Sequence, residues 1–530
     1  MPLKWTRVLN SGLAALLATI LSFSSVLAAS TFHRGTFGDP ETLDPHKASA
    51  QSATPIIYDM FEGLMSLDGE GRVVPGVARE YTVSEDGLTY TFHLRKNLQW
   101  SDGTPITAED FVYSNRRLMK PETAGRFASF LYPIKNARMI NHGKLPAQEL
   151  GVRSLDNLTV EYTLEAPNPS FPKIMATNPA VPVPRHVVEA YGSAWIKPEH
   201  IVVNGPYILN ARVPQTSIKL VKNPAYRRAD QIRIDEVYYH PTRNLGTSLK
   251  RFRSGELDVI LNFPPSQINW IKQNIPQDLH VTPALGIYYL LINNKKAPFD
   301  DVRVREALSI SIDREVITDK LLRTGVTPAY SFATPQFANY DGIDVAYRHE
   351  PLANRQTRAR ELLKQMGYDE NHPLKVQYRN DTLEESQKIA IAVSGMWRDI
   401  GVETDLTSSE FIAVIRKVRS KDFEIARFAY FAPYNDPYTF LSLFQTGDQG
   451  NNGDYSNPEY DVLLKQSRVT RDPVARKALF ENAERLLMKD YPMIPIYFYV
   501  RRYLVSPRVH GWVDTERGVN PTQYLWIDPE

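Results

Sequence analysis

No cysteine occurs in the 530-residue sequence. Thiol nucleophiles, zinc–thiolate centres and iron–sulfur clusters are therefore excluded. Disulfides are excluded too, and a chain this long can bury large cores without them. Excess charge is also missing. The first 28 residues carry only Lys4 and Arg7, and the remainder holds 60 basic against 60 acidic residues. That balance gives no electrostatic ground for binding nucleic acid or an anionic membrane. Beyond the N-terminus no apolar run approaches membrane-spanning length.

Catalytic signatures are equally scarce. The 11 histidines show no HExxH or His-x-His spacing. There is no Gly-x-Ser-x-Gly elbow and no GxxxxGK[ST] loop. One Ser-x-x-Lys occurs, Ser170 to Lys173, with Phe-Pro inside it and no Ser-Asp-Asn or Lys-Thr-Gly elsewhere; it reads as loop. A dyad of distant carboxylates leaves no trace in spacing, so an enzyme stays an alternative, though an unsupported one.

The N-terminus reads as a secretory signal. Lys4 and Arg7 precede "LAALLATILSFSSVLA", and Val26-Leu27-Ala28 offers a small residue at each position a signal peptidase reads. Ser and Thr break the run and no stop-transfer charges follow, which argues against a membrane anchor. The expectation is a soluble mature chain exported to a bacterial periplasm, where the lack of cysteine prevents mispairing.

At 42% hydrophobic and 23% charged, the composition is that of a folded protein of about three ordinary domains. Strand-like runs alternate with amphipathic helices. "LTYTFHLRKNLQW" puts Tyr90, Phe92 and Leu94 on one face of a strand. Thr107-x-x-Asp110 marks a helix start. "DDVRVREALSISIDREVITDKLL" starts at an Asp cap and carries Val304, Leu308 and Ile312 on one stripe. "RQTRARELLKQMG" ends at Gly367. "SQKIAIAVSGMWRDIG" ends at Gly401, and "VETDL" follows as a strand. Helix, glycine and strand in alternation indicate α/β layering. The 38 prolines are dispersed and no Gly/Ser linker exists. Any crossing between lobes therefore uses extended strands, with Leu285–Asn294, "LGIYYLLINN", the best candidate. Aromatics reach 11%, with 28 tyrosines. They cluster at Tyr288-Tyr289, Phe428 to Phe431, Tyr434, Tyr438 and Tyr497 to Tyr499. Core strands account for most of them, but Tyr-rich walls also suit a partly wet cavity for a polar ligand.

The stretches "TLDPHKASAQSATPIIYDMFEGL", "YTFHLRKNLQWSDGTPITAEDFVYS", "IVVNGPYIL", "LVKNPAYR", "SGELDVI", "NNKKAPFDDVRVREALSISIDREVI" and "YPMIPIYFYV" run in order over the whole mature chain. Together they resemble the periplasmic oligopeptide-binding proteins of ABC importers, solute-binding family 5, which includes dipeptide, murein-peptide and nickel binders. The resemblance implies an α/β, two-lobed periplasmic binding protein of the cluster C type, with an inserted subdomain in lobe I. The implied division is a signal peptide at 1–28, lobe I at 29–65, 187–287 and 496–530, the inserted subdomain at 66–186, and lobe II at 288–495. It implies no catalysis and no cofactor. A monomer captures a peptide or muropeptide and delivers it to ABC permease membrane subunits with cytoplasmic ATPases.

Site residues follow from the same resemblance. In "ARFAYFAPYNDPYTFL", Ala426–Leu441, the segment Ala429, Tyr430 and Phe431 matches a strand that pairs with the ligand backbone. Tyr434, Asn435 and Asp436 match the turn after it. Relatives place an aspartate for the ligand's α-ammonium where this chain has Pro433, and a pocket acid where it has Ala53. Either Asp436 or another acid takes over as amine anchor, or the ligand's first nitrogen is blocked, as in cell-wall muropeptides. Arg427 and Arg419 match arginines near the pocket and are expected to hold carboxylates; Tyr288 and Tyr289 are expected to line it. A general oligopeptide binder is the first alternative. A nickel or haem carrier and a cell-wall enzyme are weaker ones.

Overall fold

A computed structural model describes residues 29–528, and the proposed signal segment 1–28 lies outside them. The main sheet contains, in chain order, β1 (Thr31–Phe37), β2 (Tyr207–Val213), β3 (Ser217–Lys222), β4 (Glu236–Thr242), β5 (Val259–Leu261), β6 (Leu279–Ile292), β7 (Leu374–Asp381), β8 (Val402–Ser409), β9 (Ile425–Phe431) and β10 (Met493–Val505). Across the sheet the order is β8-β7-β9-β6-β10-β5-β1-β4-β3-β2, with Thr327–Pro328 added against β10. A separate four-stranded sheet, Ala78–Val83, Thr89–Leu94, Thr159–Thr163 and Val152–Asp156, lies within the stretch between β1 and β2.

Two long strands join the halves. β6 pairs antiparallel with β10 from Leu279↔Leu504 to Leu291↔Met493, with irregularities at Pro283/Ile287 and Tyr288/Tyr289. The second half of β6 is apolar on both faces, so it needs cover on both sides. Tyr288, Leu290 and Ile292 enter one core, while Leu285, Ile287, Tyr289 and Leu291 enter another. At the far end of β10, Tyr503 and Val505 belong to a third core built on residues of the first 240. The fold is thus two-lobed, with one sheet running through both lobes. The chain end is fastened to the first lobe. Buried Asp59 accepts hydrogen bonds from Thr522 N (3.0 Å), Thr522 Oγ1 (2.6 Å) and Tyr239 Oη (2.7 Å).

Local expectations are met where punctuation sets the boundary. Tyr90, Phe92 and Leu94 are buried together. The capping box of Thr107 and Asp110 opens helix Ala108–Met119. Gly367 follows helix Leu352–Gln365 in the left-handed region, φ +84°. One helix differs. The stripe through Ile312 predicts continuation, but helix Val302–Ile310 stops and a wide turn, Val316–Leu322, follows. Buried arginines take the carbonyls freed by the break: Arg314 Nη1 donates to Ser309 O and Ile312 O, and Arg355 Nη1 to Ile310 O and Ile312 O. Those four contacts are 3.2–3.3 Å long and replace the missing helical bonds.

One buried carboxylate sets a pH test. Glu484 accepts from Phe332 N (2.7 Å), Ala333 N (2.6 Å) and Tyr340 Oη, and no cation among the described residues forms an ion pair with it. Burial pushes its carboxyl up to about 7 from 4.5, against the pull of those hydrogen bonds. A carboxyl raised in the fold stabilises fully below its unfolded value, and that contribution is lost as pH rises through 7. Glu484→Gln removes the titration. Chemical denaturation across pH is expected to show the variant gaining on wild type by about 3 kcal/mol between pH 4.5 and 8; a constant difference would contradict the assignment.

Candidate functional site

The strand β9 pairs with β6 over Gly286↔Phe431 to Ile292↔Ile425, but with β7 only at Ile425 and Ala426. Among the described residues, one edge of Arg427–Phe431 therefore has no strand partner. Open strand edges are ready templates for an extended chain. The edge leads into a cavity of about 470 Å³ between the lobes, walled by Phe431, Ala432 and Pro433 on one side and by Ala53, Tyr58 and Phe127, among others, opposite. Phe127 and Phe130 stack there at 5.1 Å. Gly286 lets the Phe431 ring lie against it: a Cβ there would sit 2.5 Å from the ring and push that half-exposed side chain aside.

None of the residues lining this cavity is acidic, and its one cation is Arg501. A smaller chamber of about 180 Å³ adjoins it, sharing Gln51, Phe431 and Arg501 and adding Glu385 and Arg502. Glu385 Oε1 accepts from Tyr497 Oη at 2.5 Å. The Arg501 side chain makes no ion pair or hydrogen bond among the described residues, and its Nε is buried without a partner.

Of the residues expected at the site, Ala53, Phe431 and Pro433 line the cavity. Ala429 sits on the open edge opposite Tyr288. The others do not reach the cavity. Tyr430 packs its ring edge-on to Phe440 in a lobe II core. Tyr288 stacks on Tyr497 at 5.0 Å, and Tyr289 meets Phe332 edge-on at 5.2 Å, both buried. A strand with two covered faces sends both tyrosines into cores. Arg419 ends helix Phe411–Arg419 exposed to solvent, away from either chamber. Arg427 is 7% exposed. Its guanidinium pairs with buried Asp381 at 3.2 Å and lies over the rings of Tyr288 (5.0 Å) and Phe411 (5.3 Å).

The turn after Pro433 clamps the lobes. Tyr434 is buried in the first-lobe core. Asn435 donates to Glu516 Oε1 (2.6 Å), and its main-chain oxygen accepts from Lys173 Nζ (2.7 Å). Asp436 is fully buried between Arg476 (2.6 and 3.1 Å), Ser170 Oγ and Lys173 (3.8 Å). Burial works to raise its carboxyl, yet Arg476 and Lys173 hold it below the ordinary aspartate value. Its oxygens are committed within the protein, which leaves no free carboxylate for a ligand amine. The Ser170-x-x-Lys173 pair, expected as loop, instead opens and lies in a one-turn helix, Phe171–Ile174, and supplies one side of this clamp.

Arg427 thus has a structural partner. Arg427→Ala leaves Asp381 buried without its cation, and urea unfolding is expected to show a loss of about 3–5 kcal/mol, part of it recovered by adding Asp381→Asn. Unchanged stability with weakened ligand binding would instead make Arg427 a ligand contact.

The model of "Bacterial extracellular solute-binding proteins, family 5 Middle" matches residues 72–452. The probable deoxycholate-binding periplasmic protein YgiS of Escherichia coli K12 is 36% identical over 513 residues, 96% of each chain. The periplasmic oligopeptide-binding protein OppA of Salmonella typhimurium is 36% identical over 501 residues, 94% of this chain and 91% of OppA. The solved structure of the Escherichia coli murein tripeptide-binding protein MppA superposes with a TM-score of 0.81 at 34% identity, covering 94% of this chain and 99% of MppA's. The family model spans well over half the sequence and the relatives align nearly end to end, so this chain belongs to family 5 of the bacterial extracellular solute-binding proteins.

Proposed function

We propose that the chain is the periplasmic capture component of an ABC importer and takes an amine-blocked, peptide-type ligand, the cell-wall muropeptide class. It is read as a monomer that binds, carries and releases its ligand without changing it, and passes it to membrane permease subunits driven by cytoplasmic ATPases. Lobe II is assigned to about 288–495, with β6 and β10 as the hinge strands and 66–186 as a subdomain of lobe I. The peptide class comes from the relatives, OppA and the murein-peptide binder MppA. The open edge of β9 supports it, since main-chain pairing does not depend on ligand side chains.

The observation that carries the blocked end is the wall at Pro433. Proline has no N–H and no carboxylate, and no acid lines the cavity beside it. A desolvated α-ammonium there costs several kcal/mol without a counter-charge. A first residue amide-linked to the lactyl group of muramic acid carries no such charge.

Glu385 favours a second reading. It is the acid that reaches the adjoining chamber, with one oxygen on Tyr497, and a free-amine peptide displaced toward that chamber could use it. Calorimetry separates the two. The muramyl tripeptide is expected to bind at least about tenfold tighter than the same tripeptide with a free α-amine, the scale of one uncompensated charge. Equal or tighter binding of the free-amine peptide, lost in Glu385→Gln, would establish the second reading instead.

A further inference from the structure

Most buried and half-buried arginines among the described residues have a partner. Arg427 meets Asp381, Arg476 meets Asp436, Arg117 meets Asp44 and Arg227 meets Glu62. Arg314, Arg305 and Arg355 donate to main-chain carbonyls. Arg501, half-buried, has no such side-chain partner among the described residues, and neither do Arg379 and Arg502. Arg501 sits on β10 where the two chambers meet, its Nε is buried and unpartnered, and no acid lines the larger chamber it faces. The next residue, Arg502, adds a second cation to the smaller chamber, leans on the Phe263 ring at 5.5 Å, and also keeps a buried nitrogen, Nη1, without a partner. Against the pair stands only Glu385, which already accepts from Tyr497. The two chambers are therefore lined by two guanidiniums and one carboxylate, with Arg501 Nε and Arg502 Nη1 buried and unpartnered.

We propose that Arg501 is the specificity-determining cation of the cleft, and that it selects ligands bearing a carboxylate. The proposal builds on the capture function given above and adds the charge that the ligand must carry. The chemistry is that of a guanidinium fork, whose N–H donors match two carboxylate oxygens at once. An unpaired guanidinium in a closing cleft is costly, and an incoming carboxylate removes that cost as water leaves. The uncharged wall at Pro433 and the cation at Arg501 then define opposite requirements at two points of one ligand. Near Pro433 it has no ammonium, and near Arg501 it has an acid.

The test uses the full mature chain and defined probes. One pair is N-acetyl-L-Ala-γ-D-Glu-diaminopimelate and the same compound with its carboxyls amidated. Wild type is expected to prefer the acid by about tenfold or more, the scale of one charge-assisted bidentate contact. Arg501→Gln should lower affinity for the acid to that for the amide, and Arg501→Lys should restore part of the preference. Thermal melting of each variant checks that the fold is intact. If Arg501→Gln folds and keeps the acid preference, the proposal is wrong. A second pair, deoxycholate and its methyl ester, separates this proposal from the peptide reading. If wild type ignores both acetyl peptides but prefers deoxycholate through Arg501, the peptide class falls and carboxylate selection stands. If neither acid is preferred, carboxylate selection falls whichever ligand binds.

Discussion

The antiparallel pairing of β6 with β10 is the constraint on which the rest depends. Both strands are long and both are covered on two faces over much of their length. Because side chains alternate, β6 serves two cores at once, and the register that satisfies one fixes the other. The same pairing carries the chain between lobes without a flexible linker. It also positions the site. β9 takes its register from β6, which places Phe431 opposite Gly286, and β10 brings Arg501 to the junction of the chambers. A change in this register would move the open edge and the cleft cation together.

Electrostatic satisfaction separates scaffold from site. Asp436 and Arg476, Arg427 and Asp381, and Glu62 and Arg227 are buried pairs whose charges answer each other. Breaking one costs more than the pair adds, so each holds its geometry firmly. The clamp at Asn435 and Asp436 reaches Ser170 and Lys173 on one side and Arg476 on the other, tying the turn beside the cleft to both lobes. Against this background Arg501, unpartnered at the junction of the two chambers, is where the proposal puts a ligand charge. Relatives named as a probable deoxycholate-binding protein and as a murein peptide-binding protein both align with this chain over most of its length, which fits a fold that keeps its frame and varies its cleft.

Much of the frame was legible in the chain itself. Thr107 with Asp110, the cap at Asp301 and Gly367 mark boundaries through local chemistry, and local chemistry is what a sequence displays. The β6 run announced itself by length and apolarity. The two-lobed organisation followed from the family motifs. The break after Ile310 was hidden, because it depends on Arg314 and on Arg355, which lies 45 residues from Ile310 in sequence. The site divided in the same way. Pro433, Ala53 and Phe431 were placed by the family resemblance, and all three line the cavity. Arg427 and Asp436 could not be told from ligand contacts, because their partners Asp381 and Arg476 lie 40 or more positions away. Arg501 sits in "YVRRYLV", where its alternation reads as an ordinary strand end; only its place at the junction of both chambers distinguishes it.

The central claim is a cleft that closes on a ligand neutral near Pro433 and acidic near Arg501. A crystal structure of the protein with the muramyl tripeptide tests it most directly. The account predicts the ligand main chain along the open edge of Arg427–Phe431, an amide-linked nitrogen beside Pro433 and a carboxylate on the Arg501 guanidinium. A free ammonium beside Pro433, or a ligand seated away from both residues, would contradict it.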